Sequence, residues 1–419
     1  MSRLLLWLFL VCAKLACGQS VLDELAGSEE RERLSPGTGH FKTGTDLVYV
    51  KTAPTKERVT GNWLQVRWAG RPSGPFAVDG FARRSRLVGH VVTGGQRADF
   101  RILTSKGALE ISPIENGAGF KIEGFQRDFD FRSPALDGKS TIVRQPLVSA
   151  RTWAGNLSPT FIPFRKTPLV IAPSWGVESH HLSFTDAHTG RFLELSTSSP
   201  TMGLAVDYQA RIGPIQCWLT LSITRTEGAG RALLDGVRDV GETHHKATSR
   251  SLTLDLSSSK GATTWGLGAS FRALRSEFST IIYRSQDIGV ETNVNGRLDA
   301  KVETTSTSRE YWLTWERRHN RNGRLMLGYR WLEAPTGIES EYAIRAVLFG
   351  VGERNSIDGS SWRSHALTIS YSHRDRQGRT WDWTLEQYIP LGRKSSSGQS
   401  TGPGARAYGG LSLMAGVKF

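Results

Sequence analysis

Between residue 200 and the C-terminus, apolar side chains recur at every second position, segment after segment. "GLAVDYQARI" sets Leu204, Val206, Tyr208, Ala210 and Ile212 on one face of an extended chain, and Ala205, Asp207, Gln209 and Arg211 on the other. "IQCWLTLSIT" repeats the pattern with Ile215, Cys217, Leu219, Leu221 and Ile223. "SLTLDLS" and "TWGLGASFR" follow, and "EYWLTWE" sets Tyr311, Leu313 and Trp315 against Glu310, Trp312, Thr314 and Glu316. In "RLMLGYRW", Leu325, Leu327, Tyr329 and Trp331 oppose Arg324, Met326, Gly328 and Arg330. "HALTISYS" and "TWDWTLEQ" extend the series, the latter with Asp382 and Glu386 on its polar face. A period of two is that of a strand between two unlike environments. With 45 glycines, 13 tryptophans and few leucine-rich helical patterns, the chain reads as all-β.

The first residues carry a different signal. Arg3 precedes an apolar run from Leu4 to Ala13, and Ala16-Cys17-Gly18 offers small residues for cleavage. The run is too short to span hydrocarbon as a helix, so residues 1–18 are expected to be a secretory signal peptide. Leu15-Ala16-Cys17 also has a lipobox flavour, with Lys14 where that motif wants leucine. Residues 19–45 are expected to be a periplasmic lead: a short charged helix over 21–34, then the linker "SPGTGHFKTGT" at 35–45. Residues 46–419 form the strand-rich body. The formal charge of +14 falls by two when Arg3 and Lys14 leave with the signal. Export makes intracellular nucleic acid a poor partner for this charge; acidic lipid headgroups and anionic solutes fit better.

A soluble sandwich alternates too, with its apolar faces meeting in a core. Three features place lipid on the apolar side instead. Tyr329, Trp331, Trp381, Phe271 and Tyr371 stand near the ends of the apolar faces, where aromatic side chains anchor at membrane interfaces. Glycine, serine and charged residues mix on the polar face, as a barrel lumen accepts. The chain is exported, and it ends in a strand with Leu411, Leu413, Ala415, Val417 and Phe419 on one face.

That last feature resembles Gram-negative outer-membrane β-barrel proteins, whose final strand is amphipathic and closes on Phe or Trp. The resemblance implies a transmembrane antiparallel β-barrel in the bacterial outer membrane, in contact with its lipid and lipopolysaccharide. It also implies that 411–419 is the signal read by the barrel-assembly machinery. Closure follows from physics: hydrocarbon offers no hydrogen-bond partners, and a closed sheet leaves no free edge. "WLQVRWA", "FAVDGFARR", "RLVGHVVT", "ADFRILT", "GALEIS", "FKIEGF" and "FLELS" read as further strands, for a total of roughly 16–22, even numbers favoured. With Phe419 on the periplasmic side, residues 391–407 form an outer loop and 373–379 a periplasmic turn. Counting further back puts the tight Asn322-Gly323 turn outside, where longer loops are usual.

Two histidine motifs bear on chemistry. His181 and Ser183 share a strand face, as in barrel-wall lipid hydrolases, which need a base within reach of the hydroxyl and a group that orients it. Phe184 follows where some of those enzymes carry asparagine, so a plain surface or lumen histidine is the simpler reading. His244 and His245 lie in a polar stretch that reads as a loop, near Asp235, Asp239 and Glu242; the spacing matches no structural zinc pattern. No catalytic residue, cofactor or metal is expected. The remaining functional feature is the charged set Asp207, Arg211, Glu310, Glu316, Arg324, Arg330, Asp382 and Glu386, expected to line a pore. The sequence therefore points to a passive channel or transporter component for small, preferentially anionic solutes. The alternatives are a non-conducting structural or assembly barrel and, third, a lipid hydrolase built on His181 and Ser183.

Overall fold

The computed structural model describes residues 38–52, 55–70, 76–93, 96–113, 117–132, 148–163, 169–185, 191–284, 296–320, 322–334, 336–345, 350–357, 362–390 and 407–418. The expected signal peptide, the 21–34 helix, most of the 391–407 segment and Phe419 lie outside these residues. Every regular element among them is a strand. The first six are β1 (Thr38–Thr52), β2 (Thr55–Ala69), β3 (Phe76–Thr93), β4 (Gln96–Pro113), β5 (Gly117–Arg132) and β6 (Val148–Ile162). Next come β7 (Leu169–Thr185), β8 (Phe192–Ile212), β9 (Ile215–Leu234), β10 (Arg238–Lys260), β11 (Thr263–Ile282) and β12 (Arg297–Arg318). The last six are β13 (Gly323–Ala334), β14 (Thr336–Arg345), β15 (Gly350–Ile357), β16 (Trp362–Arg374), β17 (Thr380–Pro390) and β18 (Ala407–Lys418).

These segments make one closed antiparallel barrel of 16 staves. β13 and β14 lie end to end along β12, flanking Pro335, which has no N–H to give a ladder. β16 pairs with β13 and β15 with β14, so these four segments supply two staves. β1 pairs with both β2 and β18, which closes the ring.

The staves alternate direction. One end of the barrel carries Thr38 of β1, Lys418 of β18 and the short connections at 213–214 and 261–262. It is called the terminal end. The other, the loop end, carries the long connections 133–147, 283–296 and 391–406. Because β13 with β14 and β15 with β16 are two full staves, the Asn322-Gly323 turn falls at the terminal end among the other short turns. This corrects the count from sequence, which put it outside. Three further boundaries differ from the sequence reading. β1 starts at Thr38, inside the expected linker. "FAVDGFARR" and "RLVGHVVT" are one strand, as are "ADFRILT" with "GALEIS" and "FLELS" with "GLAVDYQARI". His244 and His245 lie inside β10, not in a loop.

The longest strands are long because they serve two environments. On β9 the outward residues Ile215, Cys217, Leu219, Leu221 and Ile223 give way to Arg225, Glu227 and Arg231 toward the loop end. The apolar part covers nine residues, enough for a tilted strand to cross hydrocarbon at about 9–11 residues. On the inner face the order reverses. Thr220, Ser222 and Thr224 come first, then Ala232 and Leu234, which are buried. β11 does the same, with Trp265, Leu267 and Phe271 exposed outward and Ile282 sealed inside.

Thus the terminal half wears an apolar belt outside and polar groups inside. Aromatic pairs mark the belt, among them Trp265 with Trp315 and, stacked at 5.1 Å between centroids, Tyr311 with Trp331. In the loop half the outer face carries cross-strand ion pairs such as Arg275–Glu303 (2.6 Å) and Lys301–Glu277 (2.9 Å). Its inner face carries a continuous buried apolar cluster running from Ile102 on β4 through Val148, Leu195 and Ala232 to Leu298 on β12.

The ring bends sharply at β9, where β8 and β10 approach each other. Gly228 and Gly230 are the inward residues at the bend. A Cβ at Gly230 would sit 1.7 Å from the Ser196 carbonyl oxygen, and one at Gly228 would sit 2.4 Å from Ser199 Cα. Only glycine leaves room for this closeness.

Candidate functional site

The inner face of the terminal half is an assembly of matched charges. Arg330 on β13 forks between Glu310 on β12, at 3.3 Å, and Glu386 on β17. Glu386 stands across β16, and the residue opposite Arg330 on that stave is Ala366, small enough to be passed over. All three charged side chains are nearly buried, at 11 to 13% exposure. Burial of this kind is tolerated only because each charge meets its opposite. A second group sits at the closure seam. Asp382 lies 3.3 Å from His40 Nε2 and 4.0 Å from Lys418. His40 reaches it across β18, where the residue between is Gly416.

The other charged residues singled out in the sequence are less enclosed. Glu316 pairs with Arg324 at 3.5 Å. Asp207 accepts a 2.6 Å hydrogen bond from the Thr220 hydroxyl. Arg211 is exposed beside the 213–214 turn and donates from Nε to the Gly213 carbonyl. Elsewhere on the inner face, Lys121 meets Glu123 at 2.5 Å. Leu411 and Leu413 of the terminal strand face outward and are exposed, with Ser412 buried between them and Ala415 exposed beyond. Val417 shares their outward register.

The two histidine motifs divide between faces. His181 and Ser183 point outward. His181 stands 3.7 Å from Glu194, the residue opposite Ser183 on β8. His244 also points outward, 3.7 Å from Glu242. Their neighbours in sequence, His180 and His245, point inward and meet. Their rings stand edge to face with centroids 4.4 Å apart. Glu178, two residues before His180 on the same face, brings Oε1 to 3.1 Å from His180 Nε2.

This cluster depends on the bend. Register runs His180–Thr197–Gly230–Thr243 across four staves, with Gly228 opposite His245. With no side chains on the inner face of β9 at that level, β7 and β10 residues reach each other over it. The Thr243 hydroxyl donates to the Ser196 carbonyl across the same gap. Hydroxyls surround the pair. Thr152 Oγ1 lies 3.2 Å from His180 Nδ1, and Ser276 Oγ lies 3.3 Å from His245 Nε2. His245 Nδ1, Thr197 Oγ1 and Ser199 Oγ have no hydrogen-bond partner among the described residues and are shut off from solvent. Sequence reasoning missed this group, because it paired His181 with Ser183 and weighed His245 only with His244 and the acids close to them in sequence. The usable signal was Glu178-x-His180 on one strand face together with Gly228-x-Gly230.

No protein-family model matches the sequence, and no curated protein does. Among solved structures the chain is similar to the translocator domain of the autotransporter NalP from Neisseria meningitidis, at 8% identity and a TM-score of 0.37 over 98% of this chain and 96% of that one. It is also similar to the CymD monoaromatic hydrocarbon channel, at 11% identity and a TM-score of 0.40 over 92% and 88%. A third is OccK2 (OpdF) of Pseudomonas aeruginosa, at 12% identity and a TM-score of 0.31 over 91% and 97%.

Proposed function

We propose that this chain is a bacterial outer-membrane channel or transporter barrel that passes small solutes. One observation carries the reading: in the terminal half the ring is closed, its outer belt is apolar, and its inner face is ionic over the same stretch of strand. A ring of 16 staves is of the size that leaves an aqueous lumen. Asp207, Arg211, Glu310, Glu316, Arg324, Arg330, Asp382 and Glu386 would line it, filtering solutes rather than reacting with them. Three of the eight are basic and five acidic, so the modest preference for anions rests on the basic excess of the whole chain, +14 by formal charge, and not on this set. On this reading the belt meets outer-membrane lipid including lipopolysaccharide, and residues 411–419 engage the assembly machinery.

The buried apolar cluster of the loop half favours a second reading, a barrel whose lumen is shut there and which conducts nothing. Purified protein in a planar bilayer separates the two. The channel reading expects discrete conductance steps with a reversal potential close to zero or slightly toward anions. Silence at every voltage, from protein that runs as a heat-modifiable band, would leave the closed barrel. Clear cation preference would overturn the expected preference for anions.

A further inference from the structure

We infer that Glu178, His180 and His245 form a binding site for a divalent transition-metal ion, Zn2+ the best fit, inside the barrel. The site is independent of whether the lumen conducts. The ligand atoms of the three side chains all lie within 4.8 Å of one another. Two ligands about 2.1 Å from a tetrahedral Zn2+ are about 3.4 Å apart, close to the 3.1 Å between Glu178 Oε1 and His180 Nε2.

Each imidazole is prepared for such a role. One nitrogen faces a hydroxyl, Thr152 for His180 and Ser276 for His245. A hydroxyl that accepts the N–H there leaves the lone pair on the other nitrogen; for His245 that is Nδ1, which has no hydrogen-bond partner among the described residues, and for His180 it is Nε2, which faces Glu178 Oε1 at 3.1 Å where an ion would bridge the two. Fixing the tautomer through the far nitrogen is how metal-binding histidines are normally oriented.

Three protein ligands leave a fourth position open. Thr197 and Ser199, opposite His180 and Glu178 in register, are 2% and 0% exposed, and their hydroxyls have no hydrogen-bond partner among the described residues. A water in the fourth position would give those hydroxyls a partner. Two imidazoles with one carboxylate suit zinc and its neighbours, whereas Ca2+ and Mg2+ ask for oxygen ligands. The bend at Gly228 and Gly230 brings β7 and β10 residues together here, so the ion would also pin that bend.

The experiment uses the full barrel in detergent, stripped by chelator and reloaded with Zn2+, with metal counted per chain by mass spectrometry. Heat modifiability confirms folding. One zinc per chain is expected. His245→Ala and His180→Ala should bind none. His244→Ala, one residue away on the outer face, should bind as the parent does. Thr152→Val should weaken binding by about 10- to 100-fold, the usual effect of removing an outer partner. A folded parent that takes up no zinc, or a site lost in His244→Ala and kept in His245→Ala, overturns the proposal. If His245→Ala does not fold, the Co2+ form of the parent decides. Intense visible bands of a tetrahedral nitrogen–oxygen set support the site, and a pale octahedral spectrum overturns it.

Discussion

The terminal half and the loop half of this barrel are made from the same strands and follow opposite rules. On β12 the outward residues at the terminal end are Tyr311, Leu313 and Trp315, and those nearer the loop end are Asp299, Lys301 and Glu303. The inward set inverts with them: Glu310 and Glu316 at one end, buried Leu298, Ala300 and Val302 at the other. Between the two lies a run of small buried hydroxyls, Thr304, Ser306 and Ser308. The backbone ladder does not change along the strand, so hydrogen bonding cannot set the pattern. On the membrane-barrel reading proposed above, the surrounding medium does. Where acyl chains lie outside, apolar groups go outward and charges must pair within. Where water lies outside, the barrel acquires an apolar interior as a soluble sheet does.

The largest expected effect tests the ionic interior. Arg330→Ala leaves Glu310 and Glu386 facing each other with their shared cation gone. Breaking a buried pair costs about 3–5 kcal/mol. Urea unfolding of the protein in lipid vesicles should show a loss of that order. A loss under about 1 kcal/mol, the value of an exposed pair, would mean that water reaches this group freely. The next effect compares the two halves directly. Leu267→Arg puts a cation in the lipid belt, at a cost of about 2–4 kcal/mol near the midplane. Thr307→Arg puts the same charge on the same outer surface, beyond the belt and toward the loop end, and should change stability within about 0.5 kcal/mol. Equal costs at the two positions would erase the boundary.

The strands of the terminal half were legible in the sequence because alternation there is unbroken. Leu219, Leu221 and Ile223, or Trp381, Trp383 and Leu385, declare their face without help. The loop half was not legible, because the apolar set changes face partway along the long strands such as β8, β9 and β12. "FLELS" places Leu193 and Leu195 inward, while "GLAVDYQARI" in the same β8 places Leu204 and Val206 outward. A reader following apolar positions sees two short strands where the chain makes one. The same crossing of phase hid the histidine cluster. Glu178, His180 and His245 lie past the belt, where nothing local in sequence tells which of two adjacent histidines faces in. That information is held by the sharp turn of the ring at Gly228 and Gly230, a feature of the sheet rather than of any one strand.

The smallest effect concerns how the terminal end is stitched. In the 375–379 turn, Asp375 Oδ1 accepts hydrogen bonds from the backbone N–H groups of Gln377 and Arg379, both at 2.9 Å. Its Oδ2 accepts from Arg379 Nε at 2.9 Å and from Trp381 Nε1 at 3.2 Å. Desolvation works to raise this carboxyl's pKa. The Arg379 and Trp381 hydrogen bonds and the Arg379 charge outweigh it and hold the group at about 2, below the ordinary 3.8. A folded-state pKa below the unfolded one means that the contribution is complete above the ordinary value and disappears as pH falls through about 2. A carbon-detected NMR titration of Asp375 in micelles should therefore stay flat through the usual carboxylate range and move only near pH 2. The Trp381 indole N–H signal should move with it, since its acceptor is being protonated. A midpoint near 3.8 would show the turn open to water. Trp381 would then have lost its tie to the turn, and on the membrane-barrel reading lipid would be left to hold it at the interface.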